Sequence, residues 1–254
     1  MTTIQTTNPP MNAARKAALY AGLFYIATFV FSIPALGFYD NVLNDADFVL
    51  GAGHDQGVLW GGLFEVITAL TGIGTAVALY PVIKRHGPGR AAGFVASRTL
   101  EAAMIFTGVL AVLAVYTLRR GGGDAATLTT TASALVAVKD WTFLLGPGVM
   151  PAINALCFAT IMYRSELVPR WIATLGLIGA PLLLISSTTT LFGGWEQVSA
   201  AGLLMALPIA TWELSVGVYM TVKGFRTLPV TGSDVTVVPV VPVVPVEPAV
   251  LAQV

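Results

Sequence analysis

The chain has 254 residues, of which 56% are hydrophobic and only 10% charged, and its acids and bases balance to a formal net charge of zero. Soluble globular proteins carry charge on about a quarter of their residues, so too few polar side chains remain here to cover a water-facing surface. The neutral balance speaks against nucleic acid as a partner. The single cysteine, Cys157, excludes an internal disulfide, and the two histidines, His54 and His86, stand in predicted loops and leave no paired haem ligands within a span.

Taken in chain order, residues 1–14 read as a disordered tail, with Pro9 and Pro10 barring a helix. Arg15 and Lys16 precede a first apolar span, Ala17 to Tyr39, long enough at ~1.5 Å per residue to cross a ~30 Å hydrocarbon core. It lacks the short apolar region and small-residue cleavage site of a signal peptide, so it reads as a retained helix bent at Pro34. Asp40 to Gly57 is acidic around His54; no metal-ligand spacing is recognisable there, and the stretch reads as a solvated loop.

The second span, Val58 to Ile83, carries Glu65 and a small-residue face at Gly72 and Ala76, which predicts close approach of a neighbouring helix. A tight basic turn, Lys84 to Arg90, leads to the third span, Ala91 to Leu118, with Arg98 and Glu101 inside it. Arg119 to Thr131 reads as a Gly-rich polar loop. Its GGGD letters match a short motif of intramembrane aspartyl proteases, but that chemistry needs the aspartate inside a helix beside a second one.

The segment from Lys139 to Trp171 joins the fourth and fifth spans. Gly146, Pro147, Gly148 and Pro151 interrupt its first half, so freed backbone groups must find donors and acceptors on neighbouring helices. Lys139 and Asp140 are expected at the outer interface, because Trp141 to Ile161 alone is ~30 Å of helix. The fifth span runs from Arg170 to Phe192 and the sixth from Val198 to Val222. Beyond Thr227 valine alternates with proline, which favours an extended, polyproline-type tail over 227–254.

The expected architecture is therefore all-α, a polytopic membrane bundle of six transmembrane helices over 15–226, with the lipid bilayer as its solvent. Nine cations, from Arg15 and Lys16 to Lys223 and Arg226, fall on one side of that topology and only Arg119 and Arg120 in its opposite loops. The bias puts both termini in the cytoplasm. Trp60, Trp141, Trp171 and Trp195 fall near predicted span ends, where indole rings prefer to sit; Trp212 lies well inside the sixth span.

The order of these features resembles an uncharacterised family of bacterial six-helix integral membrane proteins, known only as a domain of unknown function. The likeness rests on GLFYIATFVFSIPAL in the first span, on Glu65, on Arg98 with Glu101, on YRSELVPRWIATLGLIGAPLLL and on LPIATWELSVGVYMTVKGFR. It covers roughly Arg15 to Arg226 and implies the same membrane topology, but no catalytic or ligand residues.

Chemistry must then come from the ionisable residues within the spans. A charge at mid-bilayer costs ~2.5–3.5 kcal/mol while a Leu or Ile returns only ~0.3–0.6, so each one asks for a partner. Arg98 and Glu101, three residues apart, share a helix face. Depth places Glu213, Trp212 and Asn154 near the same level, and these five form the expected polar cluster; Glu65 is expected either in its own span's interior or near the outer headgroups. Two acids face one base, so one of Glu101 and Glu213 is expected to hold a proton. The cluster fits either a ligand or proton site or a staple that fixes helix packing. Three functions stay open: a carrier or binding protein for a small molecule or proton, a non-catalytic membrane partner or regulatory subunit, and an intramembrane enzyme. The last is least supported, since no G-x-S-x-G nucleophile, P-loop or histidine base lies in a span. No catalytic residue, metal or cofactor is expected; homo-oligomerisation is open.

Overall fold

The computed structural model describes residues 12–51 and 55–226. The expected tails lie outside them up to residue 11 and from residue 227, as does His54 of the acidic stretch. Among the described residues every regular element is helical. In chain order they are α1 (Ala13–Phe38), α2 (Asp40–Asn44), a 3-10 turn (Phe48–Leu50), α3 (Gln56–Ile83), α4 (Pro88–Gly121), α5 (Ala125–Phe143), a π-helical turn (Leu144–Val149), α6 (Met150–Ser165), α7 (Arg170–Leu191) and α8 (Ala200–Val222). The fifth helix, the π turn and the sixth run on as one, so six helices are long and apolar enough to cross a membrane.

The surface is the inverse of a soluble protein's. Leu110 and Leu204 in the helix bodies are 68% and 70% exposed, whereas Arg98 and Asn154 are 3% and 0% exposed. Only a hydrocarbon solvent makes that arrangement favourable, and in such a solvent each backbone group must be satisfied within the helix. Polar side chains comply by folding back: Thr68, Thr107 and Thr211 donate their hydroxyls to the carbonyls of Phe64, Ala103 and Leu207 at 2.8–2.9 Å. Side-chain oxygens of Asn12, Asp55, Asp124 and Ser199 accept backbone N–H groups at the starts of α1, α3, α5 and α8. The backbone N–H and the hydroxyl of Thr127 both donate to Asp124 and hold its carboxyl below the usual carboxylate range.

Successive long helices pack side by side, α1 on α3, α3 on α4, α4 on α5 and α6, α6 on α7 and α7 on α8. The last helix returns to α1 and closes a ring. Arg15 fastens the closure by donating to the carbonyls of Met220 and Thr221 at 3.0 and 2.7 Å, at the end of α8 where unpaired carbonyls favour a cation. The first and last helix ends thus share one face of the bundle, called the terminal face below; the opposite face is distal.

Glycines set the closest approaches. A Cβ on Gly179 would lie 2.7 Å from the backbone nitrogen of Ile209, and one on Gly176 would lie 2.7 Å from the Trp212 ring, so α7 and α8 touch nearly backbone to backbone. Gly72 behaves differently from expectation: nothing lies within 4 Å of its missing Cβ, and it opens onto a cavity while Ala76, one turn on, is buried in the core.

Three further expectations are corrected. The polar loop expected over Arg119 to Thr131 is almost wholly helix, because α4 continues through Gly121 and Asp124 caps α5 at once. Leu128 and Ala132 then bury against Val112, Val115 and Tyr116, together with Val42, Phe48 and Val49 from the acidic stretch. Packing of these apolar side chains outweighs the loop-like composition. For the same reason the helix of the fourth span begins at Ala125, ahead of the expected Lys139, and Trp141 lies inside it.

The Gly-Pro-Gly interruption does not break the helix but widens it. A proline excludes the carbonyl four residues back, here that of Phe143, and a π turn accommodates the ring without ending the helix. The side chain of Gln197 donates to the Phe143 carbonyl at 3.3 Å, and Ser187 of α7 donates to that of Gly148 at 2.7 Å. Neighbouring segments thereby supply the partners that the helix lost.

The Gly179→Ala variant is expected to lose about 1–3 kcal/mol by overpacking against backbone that cannot give way. Gly37→Ala, with nothing within 4 Å of the added carbon, should gain up to about 1 kcal/mol of helix propensity. Reversible unfolding in mixed micelles checks both.

Candidate functional site

Depth along the helices decides which buried charges meet. Glu213 stands ~15 Å from the terminal end of α8 and Glu101 ~20 Å from the start of α4, near enough in level for side chains to join. Arg98, one turn before Glu101, donates from Nη1 to Glu101 Oε2 at 3.0 Å and from Nη2 to Glu213 Oε1 at 2.5 Å. Asn154 of α6 donates from Nδ2 to the same Glu101 oxygen at 2.7 Å, and its Oδ1 accepts from the Ser97 hydroxyl at 2.5 Å. One connected polar chain therefore ties α4 to both α6 and α8.

Beneath the guanidinium, toward the terminal face, lies an aromatic layer. Arg98 sits 5.0 Å from the centre of the Tyr25 ring and 5.8 Å from that of Phe94, where ring quadrupoles attract a cation. Phe94 stacks on Phe158 at 4.9 Å, and Trp212 meets Tyr25 edge-on at 6.5 Å. Trp212 thus belongs to this layer and not to the polar chain: its ring covers Gly176, and its indole N–H has no hydrogen-bond partner. An indole at the right depth still turns away when a glycine opposite offers it a slot.

A second charged pair lies ~27 Å above the terminal end of α3. Lys139, expected to snorkel at the outer interface, turns inward: it is 4% exposed, its ammonium donates to Glu65, and it lies 5.0 Å from the centre of the Tyr39 ring. Gly108 makes room for it, since a Cβ there would lie 3.0 Å from the lysine Cδ. Its helix extends well beyond the predicted start of the span and carries Lys139 into the protein interior, beside α3 and α4. Spacing within one segment could not reveal this pairing, because its partners are 74 residues apart.

Between the two charged levels lies a cavity of about 280 Å³. Glu65 lines it from α3, Arg98 and Glu101 from α4, and Glu213 from α8. The hydroxyl-bearing Thr28, Ser32 and Thr68 share its wall with Phe29, Ile33, Ile105, Leu183 and Ile209, and Pro147 and Pro151 face it from the π turn and the start of α6. Asn154 and Trp212 support the site from behind. The sequence does not point to Thr28, Ser32 and Thr68, because single hydroxyls in apolar helices are common and carry no spacing signal. The arrangement can hold a small polar or charged group against carboxylates while apolar walls take up the rest of a ligand.

The family described as Domain of unknown function (DUF4386) matches the chain over residues 20–224. No curated protein and no solved structure matches it.

Removing one member of a buried charged pair leaves the other without a counter-charge, so Lys139→Met is expected to cost about 3–5 kcal/mol. The double variant Lys139→Met/Glu65→Met should be markedly more stable than that single variant. Unfolding of both single variants and the double variant in the same detergent compares them; strictly additive losses would show that the pair carries no coupling.

Proposed function

Because the chain belongs to the DUF4386 family and is a multi-pass membrane protein, we propose that it binds or transports a small molecule or proton at the cavity between its two buried charged levels. The observation that carries this reading is the lining itself: Glu65, Arg98, Glu101 and Glu213 all face one cavity instead of being sealed into the packing between helices. Charges that serve only as staples gain nothing from an adjoining void, which costs packing contacts. Catalysis has less support, since the cavity is lined by carboxylates and a guanidinium without a hydroxyl or thiol nucleophile held against a base.

The second reading is a regulatory or partner subunit in which the charges hold helices in place. The hydrogen bonds from Arg98 to Glu213 of α8 and from Asn154 of α6 to Glu101 favour it. The two readings part at Glu213→Gln, which keeps a hydrogen-bonding side chain but removes the charge. Loss of binding or vesicle transport in a variant that still folds supports the site, and unchanged binding supports the staple.

Gly72 gives a sharper test. A Cβ there meets nothing within 4 Å, so a leucine has room to project into the cavity that Gly72 lines. Small molecules that raise the unfolding temperature of the wild-type protein should lose that effect in Gly72→Leu and keep it in Gly37→Leu. Hits that stabilise Gly72→Leu as well as wild type would place binding elsewhere and refute the proposal.

For orientation we propose that the terminal face is cytoplasmic, as is the sole side on which Arg15, Lys84, Arg85, Arg90, Arg164, Arg170 and Lys223 gather. Cysteines placed at residue 16 and at residue 223 should resist an impermeant maleimide in intact cells and react once the membrane is opened. One placed at residue 122 should react from outside.

A further inference from the structure

The cavity has a side door and a charge deficit, and together they name a class of ligand. On α1, Gly22, Phe29, Ile33 and Leu36 share one helix face; on α8, Gly217, Glu213, Ala210 and Ala206 do the same. At their terminal halves these two faces are shut, since a Cβ on Gly22 would lie 2.6 Å from the Gly217 carbonyl and one on Gly217 would lie 2.8 Å from Tyr25 Cβ. Continued toward the distal face they border the cavity. Ile33 and Leu36 line the cavity and yet are 63% and 43% exposed, and Ala206 and Ala210 line it from across the gap with side chains too small to close it. The opening therefore lies between α1 and α8 in the apolar belt of the protein, with Glu213 at its foot one turn above the glycine contact.

Charge count supplies the second half. The interior charges at this cavity are Glu65 with Lys139, which cancel, and Arg98 with both Glu101 and Glu213, which do not. A lone carboxylate charge out of water is costly unless a counter-charge meets it, so either a proton or a cation from outside must complete the set. The carboxylate beside the opening is Glu213.

Resting on the reading of the cavity as a ligand site, we infer that the ligand is a lipophilic monocation, an amine with an apolar body, that enters from the bilayer between α1 and α8 and sets its charge on Glu213. A membrane-partitioned amine arrives already in the apolar phase that the opening faces. Its body meets Phe29, Ile33 and Ile209, and the 280 Å³ available suits a chain of n-octylamine size. An anion of the same shape would meet Glu213 directly and be refused.

Three probes of one shape and different charge decide this: radiolabelled n-octylammonium, 1-octanol and n-octanoate, bound to the full chain in nanodiscs of phosphatidylcholine, with empty nanodiscs subtracted. Saturable octylammonium binding at least tenfold tighter than that of octanol, with no octanoate binding, is the expected result. Glu213→Gln should bring octylammonium affinity to that of octanol measured on the same variant, while Glu213→Asp keeps the preference. For the route, Ala206→Cys in a Cys157→Ala background should react with a membrane-partitioned N-alkylmaleimide, and bound octylammonium should slow the reaction.

Equal binding of octylammonium and octanol, both abolished by Gly72→Leu, would overturn the cation class and leave the ligand cavity standing. Binding that Gly72→Leu does not change would overturn both. Preference for octylammonium with no protection of the cysteine at 206 would overturn the lateral route. Should Glu213→Gln fail to fold, the wild-type order of the three probes and the Glu213→Asp variant still decide the question.

Discussion

One guanidinium answering two carboxylates in a low-dielectric interior is the constraint around which this bundle is arranged. Arg98 binds Glu101 on its own helix and Glu213 on α8, while Asn154 of α6 steadies Glu101 from the other side. Each partner alone would be costly to place in hydrocarbon, at ~2.5–3.5 kcal/mol, so the three must meet for any of them to be tolerated. Their meeting fixes the relative height and rotation of α4, α6 and α8. The aromatic rings of Tyr25 and Phe94 under Arg98 extend that register to α1. Glu65 and Lys139 do the same for α3 and α5 at the other level.

Packing explains why a void survives between these levels. On the terminal side the helices meet through glycine and alanine, with Gly22 against Gly217 and Gly176 against Trp212, and approach as closely as backbones allow. On the distal side Pro147 widens its helix into a π turn, and Ile33 and Leu36 of α1 line the cavity together with Ala206 and Ala210 of α8. The ionisable groups border that space at both levels, Arg98, Glu101 and Glu213 nearer the terminal face and Glu65 nearer the distal one. Lipid supplies no hydrophobic force to close such a space, since hydrocarbon solvates an apolar helix face as well as another helix does.

Beyond this bundle, α4 and α5 extend past the level of Lys139 and carry a small apolar cluster built on Phe48, Val49, Val115 and Leu128. Arg119 holds it together by donating to the Phe48 carbonyl while lying over the Phe48 ring, 4.3 Å from its centre. The acidic stretch between α1 and α3 is thereby folded onto the distal end of the molecule, with Asp55 capping α3.

By itself the sequence determined the class and the number of long apolar helices. Runs of twenty or so apolar residues leave a bilayer as the only workable solvent, and their count and punctuation by basic turns are local properties. The Arg98–Glu101 pair was legible for the same reason, as three residues of helix put two side chains on one face. Depth counting brought Glu213 and Asn154 to the right level, because rise per residue is constant, but it could not say which way Trp212 turns. The tertiary structure alone decided that Lys139 is buried on Glu65, that the glycine-rich loop is helical, that Gly72 opens onto a cavity and that Ile33 and Leu36 line that cavity while exposed. Each of these depends on what a distant segment places opposite, and a linear pattern of apolar residues holds the same value whichever neighbour fills or leaves the space.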